Sequence, residues 1–284
     1  MEPKRDLAIV LRSVPFQDRH KVITALTESH GLITALARNS VQSRRFGGSL
    51  DLFSASLWHF SEKPGAELAQ LQQAEIRRPF EGIRRDFERL AVASIFSEIM
   101  LRVAPQNQDA PELFKLHSNA LAAVDELSPG EAVPFSLLNA YITKILQWSG
   151  SQPQLQQCRE CQASLDTLTT QTEITCIVAD AAWVCPGCRT QGTRHVQERS
   201  SQSFGSAALR VKAIAVHDFH RFLGLPIRQI PAACAATQTE HRELFGFLEA
   251  LLVYHVPGFD RQPLKSLKFL ELGSNLPPAQ SSRR

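Results

Sequence analysis

Two C-x-x-C pairs, Cys158/Cys161 in QCRECQ and Cys185/Cys188 in VCPGCR, close the ends of one short segment in the middle of the chain. A C-x-x-C turn puts two sulfurs on the same side of a tight loop with backbone N–H groups facing them. Two such turns supply four soft thiolates, the donor set that zinc takes in a tetrahedron, so Cys158, Cys161, Cys185 and Cys188 are predicted to hold Zn2+. Four thiolates leave no open coordination position, and the predicted role is structural. The stretch between the pairs, TEITCIVADAAWV, alternates apolar and polar residues and predicts a β-hairpin of the zinc-ribbon kind. A module spanning 155–195 with so few large apolar residues buries little surface, and the metal would supply the folding free energy that its core lacks. A redox pair would instead stand singly at the start of a helix in a βαβ unit. Cys176, on the predicted hairpin, and the isolated Cys234 are expected to be small buried hydrophobes.

The rest of the chain divides by hydrophobic period. Residues 1–79 carry five β-rich runs, DLAIVLRSV, HKVITALTES, GLITALARN, SLDLFSASLWHFS and ELAQLQQAEI, each bounded by turn residues. Five short strands suit a small closed barrel, and the OB type is the common five-stranded solution. At Pro79 the period lengthens. FEGIRRDFERLAVASIFSEIMLRV, APELFKLHSNALAAVDEL and PFSLLNAYITKILQWSG predict helices in a first helical part, 80–154. After the cysteine module, GSAALRVKAIAVHDFHRFLGL, TEHRELFGFLEALLVYHV and a short piece around PLKSLKFLEL predict a second helical part, 196–272. The polar tail 273–284 is expected to be disordered. The expected class is α+β multidomain: an OB-type barrel, then an α-helical domain with an inserted zinc-ribbon-like module.

The chain contains no P-loop, no G-x-G-x-x-G and no nucleophile elbow. His217 and His220 lie three apart on a predicted helix beside Asp218, without an H-E-x-x-H, and are expected on a solvated face. Asp86 and Glu88, interleaved with Arg84, Arg85 and Arg89, are expected to pair on the surface. None of this points to an enzyme. No run of about 18 apolar residues appears, and the N-terminus lacks the layout of a signal peptide, so a cytoplasmic protein with no membrane contact is expected. The net charge of +3 permits nucleic-acid binding without requiring it. Basic residues do gather in the first 79: Lys4, Arg5, Arg12, Arg19, Lys21, Arg38, Arg44 and Arg45, with His20 among them. These are the candidate DNA contacts. ARNSVQSRRFGG has the character of a loop that tracks a phosphate backbone. Phe16, Phe46, Phe53, Trp58 and Phe60 are the aromatics that would stack bases if exposed, or fill the barrel core if not.

Several stretches, in order, resemble the bacterial recombination mediator family RecO. VLRSVPFQDRHKVITALTESHGLI is similar to the family's opening strand pair, with Gly31 at its glycine, and LARNSVQSRRFGGSLDLF to its basic loop. FSLLNAYITKILQWSGSQPQLQQCREC resembles the central helix entering the first knuckle, AAWVCPGC the second knuckle, and HVPGFDRQPLKSLKFL the C-terminal signature. This chain departs from the family pattern at Gln17, often acidic, and at Asn39 and Gln162, where glycine is usual. Val41 and Gln42 stand where basic residues are common, so the loop has lost charge. The resemblance implies a non-enzymatic protein of the bacterial cytoplasm and nucleoid that binds single- and double-stranded DNA and anneals complementary strands. It also implies work with RecR to load RecA onto strands coated by single-strand-binding protein, whose acidic, Phe-ending C-terminal tail it would capture. For that tail, Arg210, Lys212, Arg221 and Lys265 are candidate rim residues of an apolar groove. A protein–protein adaptor with a purely structural barrel and zinc module is the alternative; a zinc-dependent nucleic-acid enzyme is disfavoured, since the thiolates saturate the metal.

Overall fold

A computed structural model describes residues 3–41, 43, 45–63, 65–191 and 208–274. They fall into two compact units, one formed by 1–133 with 264–284 and the other by 134–263.

The first unit opens with a closed five-stranded barrel. Its strands are β1 (Pro3–Phe16), β2 (His20–Thr27), β3 (Gly31–Ala37), β4 (Ala55–Ser61) and β5 (Ala69–Arg78), in the order β1-β2-β3-β5-β4. All neighbours are antiparallel except β3 and β5, and β1 pairs with β4 to close the cylinder. This is the predicted OB-type barrel. Its core contains Ala8, Val10, Ile23, Ala25, Ile33, Ala35, Trp58, Phe60 and Leu71. A register shift between Val10 and Arg12 changes the phase of β1. Before it, even-numbered Ala8 and Val10 face inward; after it, even-numbered Arg12, Val14 and Phe16 are exposed. Such a bulge inserts one residue and re-aims those that follow.

SLDLF does not extend a strand as expected. Gly47–Leu50 forms a 3-10 turn, and Phe53 has a left-handed backbone (φ +69°). Ser49, Leu50 and Phe53 are nonetheless buried, so apolar content at this point marks a packed turn.

The predicted helix 80–103 is two helices, α1 (Glu81–Arg84) and α2 (Phe87–Val103). Asp86 causes the break: its carboxylate accepts the N–H of Arg89 at 3.0 Å and caps α2. Of the arginines expected to pair on the surface here, Arg85 does so, with Glu81 at 2.9 Å. Arg89 is buried with its guanidinium donating to the Ser128 carbonyl, and Arg84 donates to Leu52 O and Ser54 Oγ. α3 (Pro111–Asp125) and α9 (Leu267–Ser274) pack against α2 and complete this unit.

In the second unit, α4 (Phe135–Trp148) packs against α6 (Ala213–Gly224) and α8 (Gln238–His255), with the one-turn α7 (Ile230–Ala233) beside them. α8 starts at a capping box: Thr237 Oγ1 accepts from Glu240 N–H, and Glu240 accepts from Thr237 N–H. A three-stranded sheet contains β6 (Glu173–Ile177), β7 (Ala182–Val184) and β8 (Ala208–Lys212), ordered β7-β6-β8. β6 and β7 form the predicted hairpin. β8 corrects the sequence reading, in which Ala208–Lys212 belonged to a helix. Val211 pairs opposite Ile174 and both are buried; α6 begins only at Ala213. Pairing with the free edge of β6 decides the conformation of a segment whose local preference is weak.

Candidate metal centre and nucleic-acid interface

Cys158 follows α4 through a loop pinned at Leu155, whose carbonyl accepts from the buried Trp183 indole at 3.0 Å. The first knuckle closes through Gln162 N–H to Cys158 O at 2.9 Å. Cys185 follows β7 directly, and Cys188 lies in α5 (Pro186–Gln191), so Pro-Gly opens a short helix at the second knuckle. The four sulfurs all lie within 4.8 Å of one another, and Cys161 Sγ and Cys185 Sγ are 3.8 Å apart. Four sulfurs each about 2.3 Å from a zinc ion would be separated by about 3.8 Å along every edge of the tetrahedron. Backbone N–H groups also point at the sulfurs, from Cys185 to Cys158 (3.3 Å) and from Cys188 to Cys185 (3.4 Å). The donor set therefore fits a tetrahedral thiophilic ion.

Electrostatics agree. Burial works against ionising Cys158, but the N–H groups of Cys161, Cys185 and Glu160 bring it down to about 7. Cys188 is pushed up to about 12 by hydrogen bonding with Cys161 and Cys185, with burial and the charge of its neighbours adding to it. Four thiolates this close need a cation between them. Cys176 stands apart on β6, fully buried, its thiol driven up by desolvation.

Gln162 adopts φ +60° and Asn39 φ +53°, the left-handed region that glycine enters freely. Asn tolerates it better than Gln.

The second unit holds another polar cluster of Asp218, Cys234 and His241. Asp218 is fully buried and accepts N–H groups from Ala235 (3.0 Å) and Ala236 (2.8 Å), pairs with Arg221, and faces His241 Nε2 at 3.4 Å. Burial opposes its ionisation, but these donors outweigh it and hold its carboxyl below the usual range. With its oxygens so occupied, Asp218 is an anchor for the entry to α8. His217 lies 3.7 Å from Asp166, and burial lowers the pKa of His220.

The basic candidates separate along the barrel. Lys4 and Arg5 are near the start of β1, opposite Phe60 and His59 of β4, with Lys4 paired to Glu62 at 2.6 Å. Arg12, Arg19, Lys21 and Arg38 lie toward the other end. From Arg5 to Arg12 the strand advances about 20 Å. Arg19 is in the β1–β2 turn; its carbonyl accepts from Val41 N–H at 3.4 Å, and Asn39 N–H reaches His20 Nδ1 at 2.9 Å, which draws the loop after β3 onto the hairpin. Lys21 pairs opposite Ala37, which Arg38 follows. Among the described residues no carboxylate pairs with Arg12, Arg19 or Arg38. Arg45 lies 5.7 Å over the ring of buried Phe46. Arg44 and Gln42 lie outside the described residues. Phe46, Phe53, Trp58 and Phe60 are all buried, which leaves Phe16, 44 % exposed, as the one accessible aromatic among the five candidates.

The tail-rim candidates are divided between the two units. Arg210 on β8 pairs with Glu173 at 3.3 Å, Lys212 donates to Gln171 O at 3.2 Å, and Arg221 is held by Asp218. Lys265 belongs to the first unit, where it lines a groove of about 270 Å³ with Leu11, Leu52, Phe53, Leu101 and Phe269. Sequence reasoning did not foresee that groove, because its walls come from four separated segments.

Residues 1–80 match the family model described as "Recombination protein O N terminal", and residues 84–267 the one described as "Recombination protein O C terminal". The chain belongs to the RecO family. It is 31% identical over 250 residues to a protein named DNA repair protein RecO from Pelobacter propionicus, covering 81% of this chain and 98% of that one. A protein of the same name from Desulfosudis oleivorans is 27% identical over 269 residues, 93% of this chain and 95% of its own. One from Rhodopirellula baltica is 30% identical over 184 residues, 64% of this chain and 66% of that protein. Within this RecO chain the barrel and the RecO N-terminal match nearly coincide, while the cysteine module lies inside the C-terminal match. No helix among the described residues is long and apolar enough to cross a membrane.

Proposed function

We propose that this RecO-family chain acts in DNA repair and homologous recombination as a non-enzymatic mediator. It would bind single- and double-stranded DNA, anneal complementary strands, and work with RecR to load RecA onto strands coated by single-strand-binding protein. The observation that carries this reading is the end of the barrel where Arg12, Arg19 and Arg38 surround the β1–β2 hairpin with no carboxylate partner among the described residues. Unpaired guanidiniums grouped on a sheet that is already hydrogen-bonded internally are free to neutralise phosphates, whatever the base sequence. The thiolate cluster is read as a structural Zn2+ site that cross-links the loop after α4 to the end of β7 and to α5; it takes no part in a reaction. A cytoplasmic, nucleoid-associated location follows from this work.

For the acidic, Phe-ending tail of single-strand-binding protein, the groove beside Lys265 is the better-supported site. Leu11, Leu52, Phe53, Leu101 and Phe269 give it apolar walls; the one carboxylate lining it, Glu98, is taken up by Ser266, Arg102 and the Lys265 N–H, and the Lys265 ammonium has no acidic partner among the described residues. Arg210 and Arg221 are already paired with carboxylates. The deciding experiment is fluorescence anisotropy of a labelled single strand, titrated with the protein at several salt concentrations. Binding that weakens linearly in log salt is expected. Absence of binding at low salt would replace this reading with a protein–protein adaptor that reaches DNA through partners.

A further inference from the structure

Directly opposed residues in an antiparallel sheet share a face. Val14 is opposite Val22, which is opposite Leu36; Phe16 is opposite His20; Arg12 is opposite Thr24, itself opposite Thr34. The alternate set on β2 and β3, Ile23, Ala35 and Ala37, fills the barrel core, so these rows lie on the outside. The outer face therefore carries an apolar strip in which Val14 is 38% and Phe16 44% exposed, with Val41 (56%) held alongside by its N–H to Arg19 O. An exposed apolar cluster of this kind is a recognition surface when charged residues rim it. Here the rim is Arg12, Arg19 and Arg38, and its nearest acid in sequence is Asp18. Three guanidiniums against that one carboxylate select a polyanion, and the apolar strip within them selects a polyanion that also offers flat apolar faces. Unpaired nucleobases on a phosphate chain meet both conditions. In a duplex those faces are stacked and hidden.

We infer that Phe16 is the base-stacking residue of this protein: one unpaired base of a single strand lies on its ring, flanked by Val14 and Val41, while the adjoining phosphates lie on Arg12, Arg19 and Arg38. This rests on the DNA-binding reading above and refines it. The phosphate rim serves either strand form, whereas Phe16 serves single strands alone and so sets the preference between them. With the other aromatic candidates in the core, one stacked base leaves its neighbours open to pair with a complementary strand.

The test compares the wild-type chain with Phe16→Ala and Phe16→Trp, using a single strand and its duplex at matched salt. Phe16→Ala is expected to weaken single-strand binding about fivefold to a hundredfold while changing duplex binding less than about twofold. Phe16→Trp is expected to keep single-strand affinity and to show indole quenching on addition of the strand beyond that of the wild type. Phe16 is exposed, so both variants are expected to melt with the wild type. Equal losses for both strand forms overturn the inference. So does unchanged single-strand binding by Phe16→Ala without quenching in Phe16→Trp, which would assign the strip to a protein partner. These results leave DNA binding itself standing. A wild-type protein that binds neither strand form overturns both readings.

Discussion

The Glu98 carboxylate accepts both the backbone N–H (2.8 Å) and the hydroxyl (2.6 Å) of Ser266, 168 residues further along the chain. It also accepts Lys265 N–H at 3.0 Å and pairs with Arg102 one turn on. The turn that leads into α9 is thereby tied to α2 through the N–H groups of Lys265 and Ser266. The Lys-Ser pair of the C-terminal signature thus has a physical role: Ser266 supplies two donors, and the Lys265 side chain is left free for the groove. Burial opposes ionisation of Glu98, yet the Ser266, Lys265 and Arg102 donors hold its carboxyl below the ordinary value of 4.5. Glu98→Gln is expected to cost about 1–3 kcal/mol at neutral pH. A depressed carboxyl contributes stability that is present above the unfolded value and disappears as pH falls through the folded one. The gap between wild type and Glu98→Gln in urea melts should therefore shrink below pH 4.5. A gap that stays constant through the acid range would refute the assignment.

Gly31 has φ +64°, and a Cβ there would collide with the carbonyl oxygens of Pro105 and Gln108. Its neighbour Leu32 donates to the same Pro105 carbonyl at 2.8 Å, so the backbone cannot withdraw. Gly31→Ala is expected to destabilise the chain by about 2–4 kcal/mol through backbone strain and overpacking. Thermal melting of the variant checks this, and a wild-type midpoint would show that the 105–108 loop yields freely.

Removing metal should loosen the segment 158–188 first. With chelator, or with Cys185→Ser, bound zinc is expected to be lost and amide exchange to rise across both knuckles and the β6–β7 hairpin. Hydrogen exchange by mass spectrometry, alongside metal analysis, reads both. Unchanged protection after complete metal loss would mean that Trp183 and Leu155 hold the module unaided.

Gln162 occupies a left-handed position at the first knuckle, and its side chain recovers a hydrogen bond to Arg159 O at 2.9 Å. Left-handed backbone costs a non-glycine residue about 1–2 kcal/mol, more than one exposed hydrogen bond returns. Gln162→Gly is expected to slow metal loss to a competing chelator. Faster loss would show that the Arg159 contact dominates.

Neutralising Arg19 and Arg38 together to Gln should lower the log-salt slope of single-strand binding by about 1.4, two phosphate contacts at about 0.7 each. Parallel titrations of the two proteins measure it, and equal slopes would place the phosphates elsewhere, with Lys4 and Arg5 the next candidates.

The four-cysteine cluster was legible because the chemistry is local: each C-x-x-C turn sets its own pair of sulfurs, and the alternation between them predicts the β6–β7 hairpin that brings the pairs together. β8 was not legible, since Leu209 and Val211 suit either a helix or a strand until the edge of β6 is present. Arg89 looks like a surface arginine until the Ser128 carbonyl is found above it. The groove at Lys265 needs Leu11, Leu52 and Phe269 from distant segments. Among the aromatics, period-two alternation carried straight through β1 would place Val14 and Phe16 on the inner face with Ala8 and Val10.

By itself, then, the sequence determined the barrel strands, most of the helices, the thiolate cluster and the basic character of the barrel. All of these rest on residues close along the chain, where periodicity and turn chemistry act. Only the tertiary structure decided which arginines share one end of the barrel and which aromatic faces solvent. A single bulge after Val10 reverses the facing of the rest of β1, and it exists only in the register of β1 against a neighbouring strand, which local periodicity does not carry.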